Sequence, residues 1–469
     1  MEKIKKWIEQ KLPHWDAVIF TIVLFYFALR LFFFATSIAP AIAPDEVVHT
    51  DLILLYSQYD GFVLPESPAT AHLDLVTRRP HLYFWFMGKL LFLNFFQIPS
   101  FLFLRLLHAL ISIVAVLISF KFFRLLTNDK LVSLLGIIVL TNIPMYSFLA
   151  AFISYDNLLG LLAVSSFYLL FKFLKTRETK YLLATLITSL LGTLIKFTFL
   201  PLLAIFLLIT VIDLIANKKQ HPLAVSHQRF KLTRGNTLVL LIIAILLYLN
   251  SSFYLVNIFR YQKILPSCDQ TLSLEQCMQK KNFQIEKKLS DSAKKIPKEK
   301  FLKVQNYAAP WMAYIEKTVL GIFGHKVMLR TSTALLPYNI LFFLFFLLFI
   351  INFRLKDPGV VYCSLSVFIY AWVLFYPISY RMFYLNSGYV EAHLQGRYLF
   401  PVIYPIVFLF AYFMLAFTQK TLKILLFLII SLIFIWGDLP YFLKHADKSW
   451  YTKDSQSVQT KISQARIAS

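Results

Sequence analysis

His81-Leu82-Tyr83-Phe84-Trp85-Phe86-Met87-Gly88-Lys89-Leu90-Leu91-Phe92-Leu93-Asn94-Phe95-Phe96-Gln97 is the stretch on which the topology of this 469-residue chain turns. It is apolar and aromatic but short, with Lys89 at its middle, whereas a membrane-spanning helix takes about 20 mostly apolar residues. Eleven other runs read as spans: 16–38, 101–123, 131–151, 157–174, 181–199, 201–216, 237–256, 334–353, 359–380, 398–417 and 421–437. Whether 81–97 crosses sets the side of the membrane on which everything after it lies.

Charge placement decides it. With 81–97 outside the bilayer and the N-terminus cytoplasmic, 20 basic residues fall on the cytoplasmic side, in the N-terminal segment and the short loops. They include Lys3, Lys5, Lys121, Arg124, Lys172, Arg177, Lys218, Arg234, Arg354 and Lys420. Short loops follow the positive-inside bias, which a twelfth crossing would break for most of these clusters. The sequence therefore predicts an interfacial helix at 81–97, its aromatics at headgroup level. The expectation is an all-α polytopic membrane protein of about 11 transmembrane helices, with the active side and the C-terminus external. The first span exceeds a signal-peptide core of about 7–15 residues and is expected to stay uncleaved.

Composition agrees. The chain is 58% hydrophobic and 15% charged, against roughly 45–50% and about 25% in soluble domains. A net charge of +23 invites a nucleic-acid reading, but the basic residues lie between or beyond apolar runs, where they suit orientation and anionic headgroups. No soluble basic module interleaved with aromatics exists to bind nucleic acid. Of three cysteines, Cys363 lies within a span and reads as a small apolar residue. Cys268 and Cys277 share the large external loop, where either a local disulfide or two free thiols is open. Four regions follow: a catalytic transmembrane module 1–256 with its first external loop 39–100, an external loop 257–333, C-terminal spans 334–437, and an external polar tail 438–469.

The informative residues are ionisable groups at the external boundary, where charge is expensive unless it works or is paired. Just after the first span comes Ala43-Pro44-Asp45-Glu46-Val47-Val48-His49; its carboxylates and histidine can serve as acid/base or cation ligands, or merely form a solvated acidic loop. Asp156, in Ser154-Tyr155-Asp156-Asn157, opens the fourth span and can equally be a helix cap. Arg79 and His81 precede the interfacial helix, while Arg105 and Lys196 lie near the outer ends of spans two and five and can simply snorkel. Gln395-Gly396-Arg397-Tyr398 precedes span ten. Arg397 at a helix start is opposed by the dipole, yet it would strengthen an anion site there. A carboxylate that takes a hydroxyl proton, beside cations that stabilise a departing phosphate, is what a phosphate-leaving transfer needs. Walker, Rossmann, G-x-S-x-G and H-E-x-x-H motifs are missing from the sequence.

These residues resemble the GT-C superfamily, integral-membrane glycosyltransferases that use polyprenyl-phosphate-linked sugars. The likeness is carried by Pro44-Asp45-Glu46…His49, Arg79-Pro80-His81-Leu82-Tyr83, Asp156 and Gln395-Gly396-Arg397-Tyr398. Residues 15–215 resemble protein mannosyltransferases and lipid A aminoarabinose transferases, which often have two prolines where this chain has Pro80-His81. The resemblance implies a GT-C-like fold, a polyprenyl-phosphate sugar donor, and an external glycan, lipid or protein acceptor at the plasma membrane. It maps the catalytic carboxylate onto Asp45 and the second acid onto Asp156. Glu46 and Asp156 are expected to orient acceptor or a divalent cation. His49, Arg79, His81, Arg105, Lys196, Gln395, Arg397 and Tyr398 are expected around donor and phosphate.

A transporter or lipid flippase is the alternative, but the paired broken spans of inverted repeats are missing. A scaffold gains nothing from clustered boundary carboxylates. Asp45→Asn separates the classes, since only an enzyme requires that carboxylate chemically.

Overall fold

The computed structural model describes residues 15–62, 80–216, 234–324, 327–353, 357–391, 394–415 and 419–452. Among them the chain is helical, with isolated β-bridges at Ile38–Tyr451 and Ile322–Met328 and no strands. Among the described residues, nine helices are long and apolar enough to cross a bilayer: Trp15–Ser37 (α1), Ser100–Leu126 (α4), Tyr155–Thr176 (α7), Phe197–Ala216, Thr237–Tyr261, Ser332–Asn352, Pro358–Ser387, Gly396–Leu415 and Lys420–His445. Helices satisfy every backbone group internally, as hydrocarbon demands. Aromatic packing holds them, for example Phe20 stacked on Phe120 at 4.1 Å. The chain is an integral membrane protein.

Two expected spans are made of shorter pieces. The run 131–151 divides into Lys130–Thr141 (α5) and Pro144–Leu149 (α6). Pro144 at the first turn of α6 cannot continue a helix across Asn142 and Ile143, and a break is tolerated because these residues are buried in protein. The run 181–199 is Thr179–Ile195 (α8), which ends at Lys196. The 81–97 stretch holds only Leu82–Leu90 (α3) and a 3-10 turn to Leu93, about 18 Å of helix at 1.5 Å per residue.

Within the first loop, Glu46–Gln58 (α2) is helical and packs on α3. Gly88 permits their approach, since a Cβ there would meet the Ile53 carbonyl at 2.8 Å. The loop 257–333 holds four helices, Cys268–Thr271 (α11), Leu274–Met278 (α12), Lys281–Ala293 (α13) and Val304–Val319 (α14). Thr237–Tyr261 is the apolar body of α10, which begins at Arg234; Leu200–Ala216, the helical body of the fourth candidate span, is α9.

The stretch expected as a free polar tail is folded through Thr452. Leu439–His445 forms a helix, Trp450 is buried, and Thr452 donates its N–H to Ser37. Its anchor is Asp438, bonded to Arg30 on α1; Arg30 also donates to Asn142 Oδ1 at 2.8 Å and to the Thr141 carbonyl. A buried arginine dictates such partners, because an unpaired charge there is prohibitive. Asp213 is likewise paired, with Arg177.

Candidate active site

Asp45 precedes α2 with φ +60°, a left-handed conformation that Asp adopts more readily than most residues. Its carbonyl accepts from His49 N, but its side chain does not cap the helix. Instead Oδ2 accepts from Arg397 Nη2 at 2.6 Å. The Asp45 side chain is 50% exposed while Arg397 is 2% exposed, so the carboxylate faces outward with the cation behind it. Desolvation pushes the Asp45 carboxyl up, but Arg397, with His49, outweighs it and brings it down to about 2.

Arg397 stands in the 3-10 helix Gly396–Val402. Gly396 N donates to Thr318 Oγ1 at 2.8 Å, and a Cβ at Gly396 would strike Val319 N at 2.6 Å. The C-terminal end of α14 thus seats the arginine by close backbone approach. Beyond it, Gly324 lies against Pro44, with its Cβ position 3.2 Å from the Pro44 nitrogen. One segment, 318–324, therefore touches the chain beside both Arg397 and Asp45.

Asp156 is buried in the first turn of α7, where Ser154, not Asp156, is the cap. Its Oδ1 accepts from Lys196 Nζ at 3.1 Å, and its Oδ2 lies 3.6 Å from Arg397 Nη1. Lys196 lies over the rings of Tyr155 and Tyr398, at 4.3 and 4.9 Å. Arg397 Nη1 and Nε are buried without a hydrogen-bond partner, as is Gln395 Oε1. Two carboxylates and two cations thus alternate in one cluster, with arginine donors to spare. The guanidinium lies between Asp45 and Asp156. Among the described residues, no group of three or more His, Cys, Asp or Glu gathers to hold a metal.

Other expected site residues have different work. Glu46 is fully buried and takes Arg105 Nε and Nη2 at 2.8 Å each. Arg105 donates its remaining N–H groups to the carbonyls of Ala35, Ile38 and Ala39. All five donors of a guanidinium are then used, which leaves Arg105 none for phosphate and Glu46 no free basic oxygen. The pair ties α2 to α4 and to the end of α1.

His49 is buried, with Nδ1 3.2 Å from the Ile153 carbonyl. Burial lowers its pKa against the pull of Asp45, so the neutral ring donates from Nδ1 and leaves Nε2 as an acceptor. His81 is buried at the start of α3, its ring 6.2 Å from that of Tyr56. Arg79 lies outside the described residues.

Sequence reading places His108 near the outer end of span two and gives no role to Tyr155, Tyr83 or Tyr370. Tyr83 Oη is 2.7 Å from His108 Nε2, and Tyr370 Oη donates to the Tyr398 carbonyl at 3.2 Å. Tyr155 and Tyr83 stood inside the quoted motifs; Tyr370, within an apolar span, offered no local signal. The loop cysteines Cys268 and Cys277 are disulfide-bonded, Cα atoms 5.7 Å apart.

No protein-family model matches the sequence, and no curated protein matches it significantly. In three dimensions the chain is similar to ArnT from Cupriavidus metallidurans, solved bound to undecaprenyl phosphate. The TM-score is 0.50 at 14% identity, covering 85% of this chain and 60% of that one. An Archaeoglobus fulgidus oligosaccharyltransferase, tethered with an acceptor peptide, aligns at TM-score 0.43 and 14% identity, over 92% of this chain and 55% of its own. The chain thus spans less than two thirds of either. The likeness to the ArnT structure is one of fold, a helical membrane architecture over the described residues.

Proposed function

We propose that the protein is a glycosyltransferase that moves a sugar from a polyprenyl-phosphate donor to an acceptor hydroxyl or amine at the external membrane face. The observation that carries this reading is the half-exposed Asp45 carboxylate bonded to a buried Arg397 with unused donors. A base and a phosphate-binding cation then share one spot, as displacement at an anomeric carbon requires.

In the proposed step Asp45 takes the acceptor proton as the acceptor atom bonds to the anomeric carbon. The bond from that carbon to the phosphate oxygen breaks, and its electron pair leaves with the phosphate. Arg397 and Lys196 stabilise the charge that develops there. In the unliganded site Arg397 holds Asp45 too acidic to be an efficient base. Donor phosphate competes with Asp45 for the same guanidinium, so its arrival frees the carboxylate and raises its basicity. Glu46 and Arg105 position α2 beneath Asp45 and do not touch substrate.

The external placement draws support from the disulfide, since such bonds persist in oxidising compartments. The disulfide-bearing loop reaches the site through Thr318 and Gly324. An apolar groove of about 450 Å³, lined by Trp311, Phe368, Ile369, Ala371, Trp372 and Phe375, offers a wall to a prenyl chain. The test is turnover of a panel of polyprenyl-phosphate sugars by purified wild type and Asp45→Asn, read as release of polyprenyl phosphate. No release from any donor by the wild type would sink the reading.

A further inference from the structure

Residues 262–303, between the end of α10 and the start of α14, carry a surface that the active site does not use. Nine lysines face three acidic residues over 280–303. Asp269 and Glu275 belong to the clasped helices α11 and α12, so the positive charge gathers on α13 and just beyond it. Lys288, Lys294, Lys295, Lys300 and Lys303 are exposed. Lys294 meets Asp291 at 3.0 Å, with both side chains mostly in solvent, a pairing that holds little charge back.

Large apolar side chains are exposed beside these lysines. Leu274 and Met278 are 54% and 41% exposed and lie one turn apart on α12, hence on one face. Ile285 is exposed on α13 and shares its face with Lys288, three residues on. Leucine, methionine and isoleucine gain nothing by standing in water. Joined to lysines on short helices, they make the pattern of segments that lie in a lipid–water interface.

The position fits. Tyr261 ends one candidate span and Ser387 ends another. The unit begins at the first, and α13 packs against 385–387 of the second. Ile296 covers Gly388, where a Cβ would meet its Cδ1 at 2.6 Å. Leu302 donates its N–H to Tyr384 Oη at 2.7 Å and accepts from Tyr380 Oη at 3.0 Å. A unit fastened to the ends of two spans sits at headgroup depth.

We infer that the disulfide-clasped unit 262–303 is a membrane-surface anchor, whose Lys288, Lys294 and Lys295 bind anionic phospholipid headgroups while Leu274, Met278 and Ile285 enter the acyl boundary. Each lysine brought to an anionic surface strengthens association about fivefold. The anchored unit fixes the depth of the segment that leads from Gly388 to Arg397. This inference stands on the chain's membrane architecture and not on the transferase chemistry.

The test uses the full-length protein in nanodiscs of phosphatidylcholine alone or mixed with phosphatidylglycerol, with amide hydrogen exchange of residues 274–293 read by mass spectrometry. The expected result is exchange several-fold slower with phosphatidylglycerol, the difference vanishing in high salt and in K288Q/K294Q/K295Q. Exchange in the spans reports whether that variant folds. Equal exchange of the wild type in the two lipids overturns the proposal. So does slowing in pure phosphatidylcholine on adding soluble polyphosphate when phosphatidylglycerol has no effect, since the patch would then serve a free polyanion.

Discussion

Arg397 and Asp45, 352 residues apart in sequence, are joined by a 2.6 Å hydrogen bond in which the arginine is buried and the carboxylate reaches solvent. The asymmetry separates two roles that a symmetric ion pair would merge. The carboxylate can meet an incoming acceptor, while the arginine is shielded from bulk solvent.

Asp45→Asn keeps the shape and removes the basic oxygen. Turnover is expected to fall about 10²–10⁴-fold, the usual contribution of a positioned base, with thermal unfolding nearly unchanged. Full activity in this variant would remove Asp45 from the mechanism.

Arg397→Lys keeps the charge but not the fork. The expected loss in kcat/KM for donor is about ten- to 150-fold, the worth of one charged hydrogen bond, and it should appear in both kcat and donor KM. A change confined to acceptor KM would assign Arg397 to the other substrate.

The pH dependence follows from the low Asp45 pKa. Its ion pair is present above the unfolded carboxyl range of about 3.9 and is lost as pH falls through about 2. Free enzyme therefore keeps Asp45 ionised down to about pH 3, and it contributes no acid limb to kcat/KM above that. If donor phosphate draws Arg397 away, the Asp45 limb in kcat moves to higher pH, toward the ordinary carboxyl range. Superimposed acid limbs in kcat and kcat/KM would exclude the exchange.

Glu46→Ala tests a different role. Removing one partner of a buried, fully bonded ion pair costs about 3–5 kcal/mol, so detergent-solubilised protein should unfold at markedly lower temperature. Normal stability with lost activity would instead make Glu46 a catalytic group.

Much of this was legible because charge at a membrane boundary is costly. Asp45, Asp156, Lys196 and Arg397 stand out against apolar surroundings, and the all-helical membrane architecture follows from the length of the apolar runs. What could not be read was which neighbouring charges pair off elsewhere. Glu46 adjoins Asp45, so it looked like a second working acid; its partner Arg105, 59 residues away, absorbs it. The break at Pro144 was visible, but apolarity on both sides hid it inside one run. The fold of 438–452 was hidden too, because polar composition says little about a segment held by one buried aspartate and one tryptophan.

The Arg30–Asp438 bond also has a consequence for biogenesis. The arginine enters with the first helix, while its counter-charge is made 408 residues later. At about 5–20 residues per second, it waits roughly 20–80 s, and Asn142 and Thr141, the first partners to arrive, bear no charge. A ribosome-released chain ending before Asp438 keeps an uncompensated cation among its helices, and should be cleared by membrane quality control faster than one ending just after Thr452. Pulse-chase lifetimes of the two truncations measure this. Synthesis of the chain past Asp438 would then be sensed at Trp15–Ser37.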